Sequence, residues 1–152
     1  MTTEDRSFEA FWASLVPRSN RRAGFRVRRA TKRPFVAFDL VGFRFSYQIN
    51  YNTPNAQVAF HIVRSDSDDI YGYLLQQRDE IETAFGGPLR WQPAAPVPGN
   101  SWPSPALVAT IVCPALRDLP REHWPEVHDR MIDAMVRLER AVAPQVQRWL
   151  PE

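Results

Sequence analysis

Apolar residues recur at three- and four-residue steps most clearly in the stretch SDSDDIYGYLLQQRDEIETAFGGPLRW. There Ile70, Leu74, Ile81 and Phe85, with Tyr73 and the stem of Gln77 nearby, fall on one side of a helix. The spacing predicts a helix over 69–85 with that side buried. Ser67, Asp68 and Asp69 precede it, offering short side-chain oxygens to the free N–H groups of the first turn and negative charge to the positive end of the helix dipole. Gly86 and Gly87 end it, because glycine takes the left-handed conformation after a helix without a Cβ clash, and Pro88 prevents resumption. Leu89 and Trp91 then share one side of an extended segment, so a strand over 89–92 is expected.

The rest of the chain reads around this stretch. Residues 7–16 place Phe8, Phe11, Trp12 and Leu15 on one side of a short helix with Ser7 as its cap and Pro17 as its end. Phe25 and Val27 alternate with Arg26 and Arg28, the pattern of an edge strand or extended arm; basic side chains there also guard an edge against sheet-to-sheet pairing. Segments 35–41, 43–50 and 58–63 alternate apolar and polar residues, and the turn-rich YNTPN makes the last two antiparallel neighbours. Phe43, Phe45, Tyr47 and Ile49 line one face of this sheet, while Arg44, Ser46, Gln48 and Asn50 point to a wet side.

Five prolines within 93–105 exclude a helix or a paired central strand and indicate an extended surface connection, with a proline-rich ligand for a partner domain as the rarer alternative. A further β-rich run covers 106–113. A long helix is expected over 121–143, with Pro125 in its first turn and Val127, Met131, Ala134, Met135, Leu138, Ala141 and Val142 as its apolar stripe; Pro144 should bend or interrupt it before 145–150. Consecutive strands followed by helices predict an α+β fold. The expectation is an antiparallel sheet of about five or six strands with three helices gathered mainly on one face, and not a doubly wound arrangement.

At 152 residues the chain suits a single domain over 1–152 that buries roughly 70% of its unfolded surface. Cys113 is the sole cysteine, which excludes an internal disulfide and a multi-cysteine zinc site, and in LVATIVC it reads as a small core residue. The N-terminus MTTEDRSFEAFW lacks a basic-then-apolar signal pattern, and no apolar run approaches the roughly 20 residues that span a bilayer. A cytoplasmic location without a membrane partner is therefore expected.

The net charge of +2 conceals a strong asymmetry. Between residues 18 and 44 nine basic residues face only Asp39, a net of +8, which leaves −6 for the remainder. Coding bias explains why 18 of 19 basic residues are arginine but not why they cluster. Arg21, Arg22, Arg26, Arg28, Arg29, Arg33 and Arg44 are the expected contacts to nucleic-acid phosphates or to an acidic protein surface.

Candidate chemistry is thin. A metal-dependent nuclease of the restriction type needs two acids and a lysine around a strand, but the single lysine, Lys32, has no Glu two residues before it. His123 and His128 are five apart and diverge by about 140° on a helix, unlike the four-residue spacing that shares a zinc; they read as surface or capping residues. His61 reads as a hydrogen-bonded structural histidine. Glu80 and Glu82 point to different helix faces, which disfavours a local acid–base pair, and Arg78 with Glu82 has the spacing of a surface ion pair. No Gly-x-Ser-x-Gly, phosphate-binding loop or dinucleotide fingerprint is present, so no metal, cofactor or catalytic residue is assigned.

Phe11–Trp12, Leu74/Leu75, Arg78, Ile81–Glu82, Gly86 and Leu89–Trp91, together with HWPEVHDRMIDAMVRLERAVAP after a gap, form a pattern that resembles the bacterial domain of unknown function 4268 family. The resemblance spans almost the whole chain, the middle strands and the proline segment matching only in pattern. It implies a link to nucleic-acid metabolism or defence, members being often fused to nuclease-like domains or encoded as free-standing proteins, and supplies no catalytic residues. The expected function is a non-catalytic binding module, accessory or regulatory in nucleic-acid processing or defence. One alternative is a protein-interaction domain, including a homodimer through the wet side of the sheet. The other is a hydrolytic enzyme whose acids converge only in three dimensions.

Overall fold

A computed structural model describes residues 7–22, 30–40, 43–64, 66–93 and 104–149. Helix α1 (Phe8–Arg22) is followed by strands β1 (Phe35–Leu40), β2 (Phe43–Ile49) and β3 (Ala56–Ile62), helices α2 (Ser67–Gln76) and α3 (Arg78–Phe85), strands β4 (Arg90–Gln92) and β5 (Ala106–Ile111), and helix α4 (Trp124–Trp149). Two 3₁₀ turns, Leu116–Asp118 and Arg121–His123, lead into α4. The sheet is antiparallel throughout, in the order β1-β2-β3-β5-β4. The fold is thus α+β, with five strands among the described residues. The helices share a single core with one sheet face, where Phe43, Phe45, Tyr47 and Ile49 meet Phe11, Trp12, Ile70, Leu74, Ile81, Met131 and Leu138.

Four α-helices stand where three were expected, because the 69–85 helix is broken at Gln77. That residue takes φ −98° and ψ 16°, and its N–H bonds Leu74 O at 2.9 Å, a tightened turn that re-aims the chain. Both halves pack on α4, and α2 also reaches β3. The expected capping by Ser67, Asp68 or Asp69 is also replaced. Asp66 is the N-cap residue and makes no side-chain capping bond, its carboxylate being held by Arg64 Nε at 2.9 Å. Gly86 does stop α3 at φ 98°, its N–H on Glu82 O at 2.9 Å.

Neither proline behaves as a terminator. Pro17 lies inside α1 and Pro144 inside α4, each removing one helical N–H and crowding the preceding turn. Burial on both sides outweighs that cost. Phe11, Trp12 and Leu15 before Pro17 and Ser19 after it are all buried, and Ser19 Oγ and Tyr47 Oη hydrogen-bond at 2.8 Å. Val142 and Gln145 likewise bracket Pro144 in the core. One consequence is that Arg18, Arg21 and Arg22 are helical. The expected edge strand near Phe25 and most of the proline segment lie outside the described residues.

The sheet face away from the helices is only partly wet. Arg44 and Gln48 are half-buried there, but Ser46, Ala59, Ala106 and Val108 are buried, the last three as a small apolar cluster of their own. Adjacent residues on α2 test the packing side directly, since Leu74 is fully buried and Leu75 is 41% exposed. Leu74→Ala should cost about 2–5 kcal/mol in urea unfolding, and Leu75→Ala about 0.5 kcal/mol or less.

Candidate nucleic-acid interface

The last turns of α1 carry the described part of the arginine cluster. Arg18 and Arg22, one helical turn apart, both approach Asp129 of α4, at 3.9 and 3.8 Å. At these lengths and exposures such pairs are weak, about 0–1 kcal/mol each. Arg21 and Arg22 are exposed, where cations also complement the helix C-terminus. Arg33 is exposed as well, and its backbone is anchored, its carbonyl accepting Trp12 Nε1–H at 2.8 Å. Arg44 is not part of this group. It lies on the opposite sheet face, in register with Asp39 of β1 and His61 of β3. Arg26, Arg28 and Arg29 fall within 23–29, outside the described residues.

The histidines divide three ways. His61 is structural: Ser46 Oγ lies 3.2 Å from its Nε2, and burial with the nearby Arg44 charge lowers its pKa to about 4. His123 is exposed beside Glu122, at 3.8 Å. His128, expected on the surface or at a cap, is instead fully buried, its ring 4.4 Å from that of Phe11 and 6.3 Å from that of Trp124. Neither ring nitrogen has a well-formed hydrogen bond. Burial first, then the charge of Arg18, holds its pKa near 4, and the Phe11 backbone offsets this only in part. The signal was present in the spacing. Position 128 stands four after Trp124 and three before Met131, inside the apolar stripe.

Glu82 is the residue whose role sequence reasoning missed. Arg78 Nε reaches its Oε1 at 3.4 Å, as an i,i+4 pair should. Its Oε2 also accepts the Leu89 N–H at 2.8 Å and Trp91 Nε1–H at 3.2 Å. Trp91 therefore donates to this carboxylate. One acid ties the end of α3, the Gly86 turn and the start of β4 together, and the Leu89 N–H above all lowers its pKa. Glu80, on another side of the helix, pairs with Arg148 at 3.5 Å. Cys113 is buried, which raises its thiol pKa. Among the described residues no group of three His, Cys, Asp or Glu is placed to hold a metal ion, and no helix is long and apolar enough to cross a membrane.

Two pH regimes follow from these environments. His61 and His128 have native pKa values of about 4 against 6.5 when free, so the unfolded chain takes up protons first and stability should fall from pH 6.5 towards 4. His128→Met should remove part of that slope in urea titrations without loss at pH 7.5, and His61 accounts for the rest. Glu82 is depressed below its ordinary 4.5, so its contribution is intact above that value and is lost as pH falls below it. Glu82→Gln should lower the unfolding midpoint at neutral pH and flatten this lower limb, a loss that Arg78→Ala should not reproduce in full.

Neither a curated protein nor a solved structure matches the chain. The family described as Domain of unknown function (DUF4268) matches residues 9–146. The residues that carry the resemblance now have places: Phe11, Trp12, Leu74 and Ile81 in the core, with Glu82, Gly86, Leu89 and Trp91 as one helix–turn–strand lock. With the match covering nearly its whole length, this chain belongs to the DUF4268 family of domains of unknown function.

Proposed function

We propose that the protein is a non-catalytic binding module, accessory or regulatory in nucleic-acid processing or defence in the cytoplasm, and that the C-terminal end of α1 meets phosphates. The carrying observation is the exposed Arg21 and Arg22 beside Arg18 on the last turns of a helix anchored to the core, leading straight into the segment that holds Arg26, Arg28 and Arg29. Guanidinium groups on a fixed helix suit a phosphate backbone, with bidentate geometry and little ordering cost. The engagement of several acids in internal bonds supports a binding role over hydrolysis: Glu82 holds Leu89 and Trp91, Asp66 holds Arg64, and Asp133 holds Arg137.

A shift assay with a mixed-sequence 20-nucleotide strand and its duplex tests this reading. Affinity should fall linearly with salt on logarithmic axes, and Arg21→Ala with Arg22→Ala should reduce the slope by about 0.7 to 0.9 for each phosphate that is no longer neutralised. The weakening should be alike for all sequences. Asp129→Asn, which releases Arg18 and Arg22, should tighten binding. Unchanged affinity in the double variant, or no binding by the parent at about 50 mM salt, would overturn the proposal.

A further inference from the structure

Strand β5 is longer than the partner on its outer side. β4 pairs only with Ala106, Leu107 and Val108, whereas β3 accompanies β5 as far as Ile111. Past Val108, among the described residues, no strand lies on the β4 side, because β4 is only three residues long and the chain before it leads back to α3. The Ile62 N–H bonds the Pro105 carbonyl at 3.0 Å, which sets the phase of the ladder. Residues 105, 107, 109 and 111 therefore turn their backbone groups to β3, and 106, 108 and 110 turn theirs the other way. Thr110, an exposed residue, presents its N–H and C=O to this open edge.

A half-open groove of about 340 Å³ runs along that edge, with Ala109 and Ile111 from β5, Phe85 and Pro88 at the end of α3, and Arg130 and Ala134 of α4 among its lining. The groove is of the size that takes small ligands and short segments. Of the two arginines on the helical wall, Arg137 is committed: its Nε bonds Asp133 at 3.0 Å, its Nη1 bonds the Phe85 carbonyl at 3.0 Å, and it lies 4.6 Å over the Phe85 ring. Arg130 bonds a neutral group, the Val112 carbonyl, at 2.8 Å. Its side chain lines the groove and stands beside Val112, which is 77% exposed.

We propose that this groove accepts an extended peptide as an added strand on the free edge of β5, continuing the line of β4, with an acidic side chain of the peptide on Arg130. An open edge beside a helix is the arrangement by which main-chain hydrogen bonds supply affinity while flanking side chains select the sequence. The charge of Arg130 selects an acidic residue, and the apolar floor of Ala109 and Ile111 takes its alternate neighbours. This surface shares no residue with the α1 arginines, so the two proposals stand or fall separately.

The test is a two-dimensional amide titration of the full chain with acetylated heptapeptides of alternating Val and Thr that carry Glu, Gln or Lys at the centre. The Glu peptide should shift the amides of Thr110, Val112 and Phe85 saturably, the Gln peptide should bind about two- to fivefold more weakly, and the Lys peptide more weakly still. Arg130→Gln should make the Glu and Gln peptides equivalent, and N-methylation of alternate peptide amides should abolish the shifts. Equal binding of Glu and Lys peptides, or no saturable shift at Thr110 at millimolar peptide, would overturn the proposal. So would shifts of the same amides with protein concentration alone, which would mean that a second copy of the chain takes the edge.

Discussion

Burial of one side of α4 is the contact on which the other layers depend. Its stripe of Trp124, Val127, Met131, Ile132, Met135, Leu138 and Val142 lies over β3 and β5, and α1, α2 and α3 pack against its flanks. Each fully buried large side chain contributes about 1.5–3 kcal/mol. What lies past Pro144 offsets the bond it removes, since Gln145 is buried and Val146 and Trp149 pack against the core, and the helix runs on to Trp149. The same logic keeps α1 helical across Pro17. A proline ends a helix where little lies beyond it to bury, and here Ser19 and Gln145 are both buried beyond their prolines.

Polar groups divide between locking the fold and decorating it. Glu82, at the end of α3, receives two N–H donors from the following strand and so converts a helix–glycine–strand sequence into a fixed corner. Around α4, Arg137 and Arg130 satisfy carbonyls at the ends of α3 and β5. These are charges bonded to backbone groups near the surface, a geometry that positions elements without the desolvation penalty of a buried ion pair. His128 is the exception, a polar ring held among aromatics without a well-formed bond. Its neutral form is the one that packing tolerates, and the structure is therefore acid-sensitive at that point.

The described arginines of the basic stretch are dispersed by the fold. Arg18 and Arg22 turn towards α4, Arg33 lies on the approach to β1, and Arg44 is carried to the far side of the sheet because Phe43 and Phe45 must face the core. A strand cannot show both of two successive side chains on one face. Among the described residues, clustering in sequence thus becomes proximity in space where the segment is helical, at the end of α1.

Periodicity alone determined the order of elements, the antiparallel sheet, the side on which the helices lie, and the stop at Gly86, because each rests on local spacing or on the conformational freedom of one residue. Ile70, Leu74, Ile81 and Phe85 are all buried, and the run from Phe43 to Ile49 faces inward as alternation demands. The arginine cluster was legible as composition, but its geometry was not, since Arg44 parts from Arg21 and Arg22 only when strand and helix take their places. Tertiary packing decided the rest. It carried α1 and α4 through their prolines, broke the middle helix at Gln77 so that both halves could pack on α4, buried His128, and joined Glu82 to Leu89 and Trp91 across the turn. These outcomes weigh a local penalty against burial or bonding elsewhere in the chain, and that balance exists only once the layers have met.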